Sequence, residues 1–117
     1  MSEGGGSGRI LQLRPVCAAI RTLCVLEFEY RGLQRVAAPY LHGFTTRGAE
    51  AVRAVQLGGE SRSAGLGFGK LFLCSEMKRV RLSDERFVPD DPDYNPDDSA
   101  FARVHCRVAP ERREKRP

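Results

Sequence analysis

Four cations lie within one patterned stretch, FEYRGLQRVAAPYLHGFTTRG at residues 28–48: Arg31, Arg35, His42 and Arg47. Guanidinium groups on neighbouring strands can grip phosphate bidentately, and nearby aromatic rings can stack a base. The chemistry on offer is anion binding; the alternative is the solvated face of a hairpin. Strand alternation narrows the set. Arg31 and Arg47 fall at turns. Arg35 shares a face with Ala37, Pro39 and Leu41, whereas His42 falls on the opposite face with Val36, Ala38 and Tyr40. Arg35 and His42 can meet only if Pro39 bulges the strand.

Other groups capable of chemistry are sparse. Cysteines stand at 17, 24, 74 and 106, and histidines at 42 and 105. No cysteine pair has the short spacing typical of structural zinc sites. His42, or His105 beside Cys106, could complete a dispersed site, but the spacing argues against it. We therefore expect no metal and read all four cysteines as small buried hydrophobes, reduced in a cytoplasmic protein. In DPDYNPDD, Asp91, Asp93 and Asn95 match the first three ligand positions of a calcium loop. Pro96 then stands where Gly is needed, and Ala102 where a bidentate Glu is needed. A Pro-braced run of Asx turns is expected instead. Gly65, Gly67 and Gly69 do not make a phosphate loop, because Gly69-Lys70 is followed by Leu71. There is no G-x-S-x-G and no H-E-x-x-H, and the two histidines are far apart in sequence. No enzyme activity and no cofactor are expected.

The chain's 117 residues bound it to one modest core, and 41% hydrophobic with 29% charged residues is ordinary globular composition. No apolar run reaches the ~18 residues of a membrane helix, and the Gly/Ser-rich start is not a secretory signal. No membrane association and a cytoplasmic location are expected. Charge is unevenly placed: +6 over residues 1–83, −6 over 84–100 and +4 over 101–117. A basic body could attract nucleotides or nucleic acid, and the acidic segment could neutralise it in cis.

The elements that must position these groups follow from periodicity. Residues 1–13 are expected to be flexible, 14–109 to form one domain, and 110–117 to be a charged tail. PVCAAIRTLC, 15–24, carries an apolar stripe at Val16, Ala19, Ile20, Leu23 and Cys24, with Pro15 in its first turn. VLEFEY, 25–30, alternates with Leu26, Phe28 and Tyr30 on one face. Gly32 supplies a turn, and 35–42 resume as a strand that Pro39 places at an edge or bulges. GFTTRG turns the chain at Gly43 and Gly48, and the ambiguous 49–57 reads as a strand between glycines. A Gly/Ser-rich loop at 58–69, a strand at 70–74 and a turn with a short strand at 75–82 follow. In FARVHCRV, 101–108, alternation groups Ala102, Val104, Cys106 and Val108 against Phe101, Arg103, His105 and Arg107. One helix and five or six short strands point to a small barrel or sandwich.

These residues resemble the WYL domain of bacterial regulators. The pattern is an apolar strand ending in an aromatic and a Gly turn (Phe28, Tyr30, Gly32), then Arg35 and Pro39. Gly48, Ala54, a basic-x-Phe strand (Lys70, Phe72), Met77 and Phe87 follow. The signature Trp-Tyr-Leu tripeptide falls on Glu50-Ala51-Val52. The resemblance implies a mainly β fold, a small Sm-like or Src-homology-3-like barrel of five or six strands with one short N-terminal helix. It implies a regulatory module whose basic groove takes an anionic ligand, a nucleotide or single-stranded nucleic acid. Arg35 and Lys70 match basic family positions, Arg53 adjoins the tripeptide, and His42 is added because it ends the strand that Arg35 begins. The alternative is a protein-interaction or structural module, a homodimer being one form of it, pairing through the edge that Pro39 would mark.

Overall fold

The computed structural model describes residues 7–59 and 67–108, and the side chains of 15–58 and 70–108. The expected flexible start up to residue 6, most of the Gly/Ser-rich loop and the charged tail lie outside the described residues.

The helix, α1, spans Ser7–Thr22, so it begins well before Pro15, which sits in its interior rather than its first turn. The stripe of Val16, Cys17, Ala19 and Ile20 is buried against β1, β2, β5 and β6. Leu23 takes a left-handed φ of 59°, which stops the helix and releases the chain into β1, Cys24–Tyr30. Arg31 and Gly32, both with positive φ, form the two-residue turn into β2, Leu33–Thr45. The strands β3 (Glu50–Gly59), β4 (Gly67–Leu73), β5 (Met77–Arg86) and β6 (Phe101–Arg107) complete an antiparallel sheet ordered β4-β3-β2-β1-β5, with β6 also on β2.

The sheet is mainly β as expected, but it is not closed into a barrel: among the described residues no ladder joins β4 to β5. A three-residue 3-10 helix, Cys74–Glu76, links these two strands, and the Tyr30 hydroxyl accepts the Leu73 amide at 3.0 Å. Phe28, Tyr30 and Phe72 meet edge to face at 4.9 to 6.5 Å beneath this link. Burying each such ring contributes roughly 1.5–3 kcal/mol.

Pro39 does not mark an edge. β2 is central, pairing β3 along one side. On its other side Leu33–Ala37 pair β1 and Leu41–Thr45 pair β6. Pro39 sits where the partner changes, and the β3 register shifts just after it, between Pro39 and Leu41, the kind of irregularity at which a strand tolerates proline. Gly43 is likewise in the strand and not in a turn. A Cβ there would lie 2.1 Å from the Arg103 carbonyl oxygen, so only glycine lets β6 approach so closely. The turn proper is Thr46–Gly48, with Gly48 at φ +86°.

The acidic loop forms the expected Asx turns. Asp91, Asn95 and Asp98 accept the amides of Asp93, Asp97 and Ala100 through their side-chain oxygens at 2.8 to 2.9 Å. Tyr94 folds back onto Tyr40, with ring centroids 4.9 Å apart, and donates to the Val108 carbonyl at 2.7 Å. No described helix is long and apolar enough to cross a membrane.

Candidate functional site

The four residues expected to bind an anion are not gathered by the fold. Arg35 is 5% exposed and belongs to the core. Its Nη1 donates to Gln56 Oε1 at 3.3 Å and its Nη2 to the Tyr30 carbonyl at 3.2 Å, while the guanidinium lies over Tyr30 and Phe72. Arg53 grips Asp98 with two donors, Nε to Oδ2 at 2.8 Å and Nη2 to Oδ1 at 3.4 Å. Burial would lift the Asp98 carboxyl, but the Arg53 fork and the Ala100 amide outweigh it and hold the group below its ordinary range. Neutralisation in cis is thus realised at this pair, and Asp97 stands 3.7 Å from Arg107. Lys70 is half-buried on β4 opposite Ala54. His42 is 2% exposed and joins a different set of partners.

That set brings together residues from α1, β2 and β6. Cys17 and Cys106, 89 residues apart, are joined as a disulfide with their Cα atoms 6.0 Å apart. The expectation of four separate thiols is therefore corrected: α1 lies across β2 and β6 and presents Cys17 to Cys106. Cys24 and Cys74 are not joined in a disulfide. Around the sulfurs stand two imidazoles. Cys17 Sγ is 3.7 Å from His42 Nδ1 and 3.5 Å from His105 Nδ1, and the two Nδ1 atoms are 3.1 Å apart. All four donor atoms lie within 4.8 Å of one another.

A bulge makes this convergence possible. Gly43 pairs Val104 and His42 pairs Cys106, so His105 is an extra residue in β6 with no counterpart on β2. Regular alternation would send His105 and Cys106 to opposite faces; the bulge lets both reach Cys17. It also overturns the face assignment read from FARVHCRV, for Ala102 and Val104 are exposed while Phe101, Cys106 and Val108 are buried. The carbonyl of Arg103, next to the bulge, is the atom that excludes a side chain at Gly43.

The spacing of the donors fits a four-coordinate cation. With Zn–S of about 2.3 Å and Zn–N of about 2.0–2.1 Å, a tetrahedral S2N2 site has edges of roughly 3.3 Å (N–N), 3.6 Å (S–N) and 3.8 Å (S–S). The N–N and both S–N separations around Cys17 come within a few tenths of an ångström of these values. The two sulfurs are bonded to each other and must part before both can bind one ion.

Glu50 completes the arrangement. It pairs Phe44 across the β2–β3 ladder, diagonal to His42, and its Oε2 lies 2.9 Å from His42 Nε2. Burial lowers the His42 pKa more than the Glu50 carboxylate raises it, and His105 lowers it further. In the tautomer whose Nε2–H donates to Glu50, the Nδ1 lone pair faces the sulfurs. A carboxylate on the far nitrogen of a metal-binding histidine is the usual outer support of such sites. His42, Glu50 and Cys74 form a second close set, but it shares His42 and offers one thiol where the first offers two.

Linear spacing hides all of this. The Cys17–Cys106 separation, the bulge at His105 and the diagonal from Glu50 arise only once the strands are paired. Comparison of the chain with protein-family models, curated proteins and solved structures finds no match.

Proposed function

We propose that this chain is a non-enzymatic metal-binding module, in which Cys17, His42, His105 and Cys106 hold one Zn²⁺ when the two thiols are reduced. The observation that carries this reading is the gathering of two imidazole nitrogens and two sulfurs from three elements within 4.8 Å of one another. Zinc suits it best: thiolate with imidazole is its preferred donor mixture, and four protein ligands leave no position for substrate, as in structural sites. The cation would tie α1 to β6, the two elements that the disulfide joins in the oxidised chain. In the test, the reduced chain is equilibrated with zinc, desalted and assayed for bound metal. One zinc per chain is expected, and cobalt(II) in its place should give the intense visible bands of a tetrahedral S2N2 site. A reduced, folded chain that retains no metal would sink the reading.

The Sm-like, WYL-like barrel remains our reading of the architecture, supported by the 3-10 link that carries the chain from one outer strand to the other. The anion-binding role implied by that resemblance has less support than the metal site, because Arg35 and His42 are buried and Arg53 is engaged by Asp98. A protein-interaction role draws on β6 rather than Pro39: Ala102, Arg103, Val104 and His105 are all exposed along that strand. Light scattering at micromolar concentration tests for self-association along it; a monomer at all concentrations, with no partner retained, counts against it.

A further inference from the structure

We infer that the Cys17/Cys106 pair is an oxidant-sensitive dithiol, and that its two-electron oxidation by a hydroperoxide closes the disulfide and expels the metal. This rests on the metal-binding reading above and names its regulation. The same two sulfurs serve both states. In the structure they are bonded to each other; in the metal-bound state each must be a thiolate. A disulfide sulfur is a poor ligand, so the states exclude one another. Once the bond forms, His42 and His105 alone remain, and two imidazoles do not hold zinc as four ligands do.

The chemistry balances. Two zinc-bound thiolates give up two electrons and form one S–S bond. The peroxide takes those electrons with two protons, its O–O bond breaks, and two waters leave. The Zn²⁺ passes to solvent with its charge unchanged. The geometry favours this product over further oxidation. A sulfenic acid formed on either cysteine has its partner sulfur as neighbour, and condensation of the two is the ordinary outcome. Both cysteines are buried, and the nearest exposed group is His105, whose Nδ1 is 3.5 Å from Cys17 Sγ. The scaffold is suited to both states, since α1 and β6 stay tethered, through the metal when reduced and through the covalent bond when oxidised.

The full chain, reduced, zinc-loaded and freed of reductant, is treated with hydrogen peroxide in the presence of a chromogenic zinc chelator. One equivalent of zinc should appear in step with a Cys17–Cys106 cross-linked peptide in the digest, and a dithiol reductant with added zinc should restore the loaded form. Zinc retained after the disulfide forms, thiols left intact by peroxide, or sulfinic acid in place of the cross-link would each overturn the switch. Loading is measured first: a reduced chain that takes up no zinc overturns the metal reading and the switch with it, whereas loading without release overturns the switch alone. His105→Ala, at an exposed position, tests the donor set: it should bind zinc at least ~100-fold more weakly, more than loss of an outer partner costs, and affinity equal to the parent chain's would overturn the metal reading.

Discussion

Arg35 and His42 lie seven residues apart on one strand, and both are almost completely buried, at 5% and 2% exposure. Their surroundings differ in kind. Arg35 spends its donors on a glutamine oxygen and a backbone carbonyl and lays its plane on two aromatic faces. It is a buried cation whose partners all belong to the core. His42 has one nitrogen on Glu50 and turns the other towards two sulfurs and a second imidazole, the last of them exposed. Burial alone therefore does not separate a structural polar residue from a site. The direction and chemical type of the neighbouring lone pairs do. Arginine offers donors only, and Arg35 directs two of them at oxygens of its own core; imidazole can offer an acceptor, and His42 Nδ1 faces other acceptors.

This contrast can be broken in steps. The largest effect is expected at Arg35. Arg35→Met keeps much of the volume but leaves Gln56 Oε1 and the Tyr30 carbonyl without these donors, and should lower stability by about 1–3 kcal/mol for each acceptor, read as a shift in denaturant midpoint with zinc uptake retained per folded molecule. An unchanged midpoint would mean that the guanidinium is dispensable. Next, Glu50→Gln should weaken zinc binding 10–100-fold through loss of the carboxylate behind His42, measured by competition with a chelator. Equal affinity would make Glu50 a bystander. Gly43→Ala follows: the new methyl meets the Arg103 carbonyl, so β6 must shift, at about 1–3 kcal/mol, and the His105–Cys106 bulge should lose register, seen as weaker metal binding on top of lower stability. The smallest effect concerns pH. Asp98 is held below its unfolded value of 3.8. Its contribution is therefore complete above that pH and lost as the pH falls through the lower folded value. Acid titration of Asp98→Asn should show a flatter decline than the parent chain in that window; superimposable curves would remove the Arg53–Asp98 pair from the account.

Much of the fold was legible in the residues. Leu26, Phe28 and Tyr30 alternate and are buried as expected, Gly32 turns the chain, and the ambiguous segment around Ala51 is a strand because glycines bound it. The errors share a cause. Pro39 was compatible with an edge or a bulge, and only the pairing of both halves of β2 with different strands decides for the bulge. Gly43 reads as a turn residue in one dimension, yet it is required by the backbone of a strand sixty residues later. The basic candidates followed charge, which periodicity cannot convert into exposure: Arg35 looks the same in sequence whether it faces solvent or an aromatic cage. The Cys/His cluster is invisible to spacing, because zinc motifs are local, whereas these four residues come from chain segments that only tertiary structure makes neighbours.

The change of partner at Pro39 also orders events in time. The β1–β2 hairpin closes through two turn residues, whereas β6 can reach β2 only after most of the chain has been laid down, and such long-range closure is the slower process. Leu41–Thr45 must wait as a bare edge until then, and His42 waits with it. In refolding followed by pulsed hydrogen exchange, amides along the Leu26–Ala37 ladder should gain protection ahead of those along Leu41–Arg107. Simultaneous protection would show that the strand behaves as one unit. If the order holds, the donor set is the last part of the molecule to be assembled, and a truncated or slowly maturing chain presents half of it first.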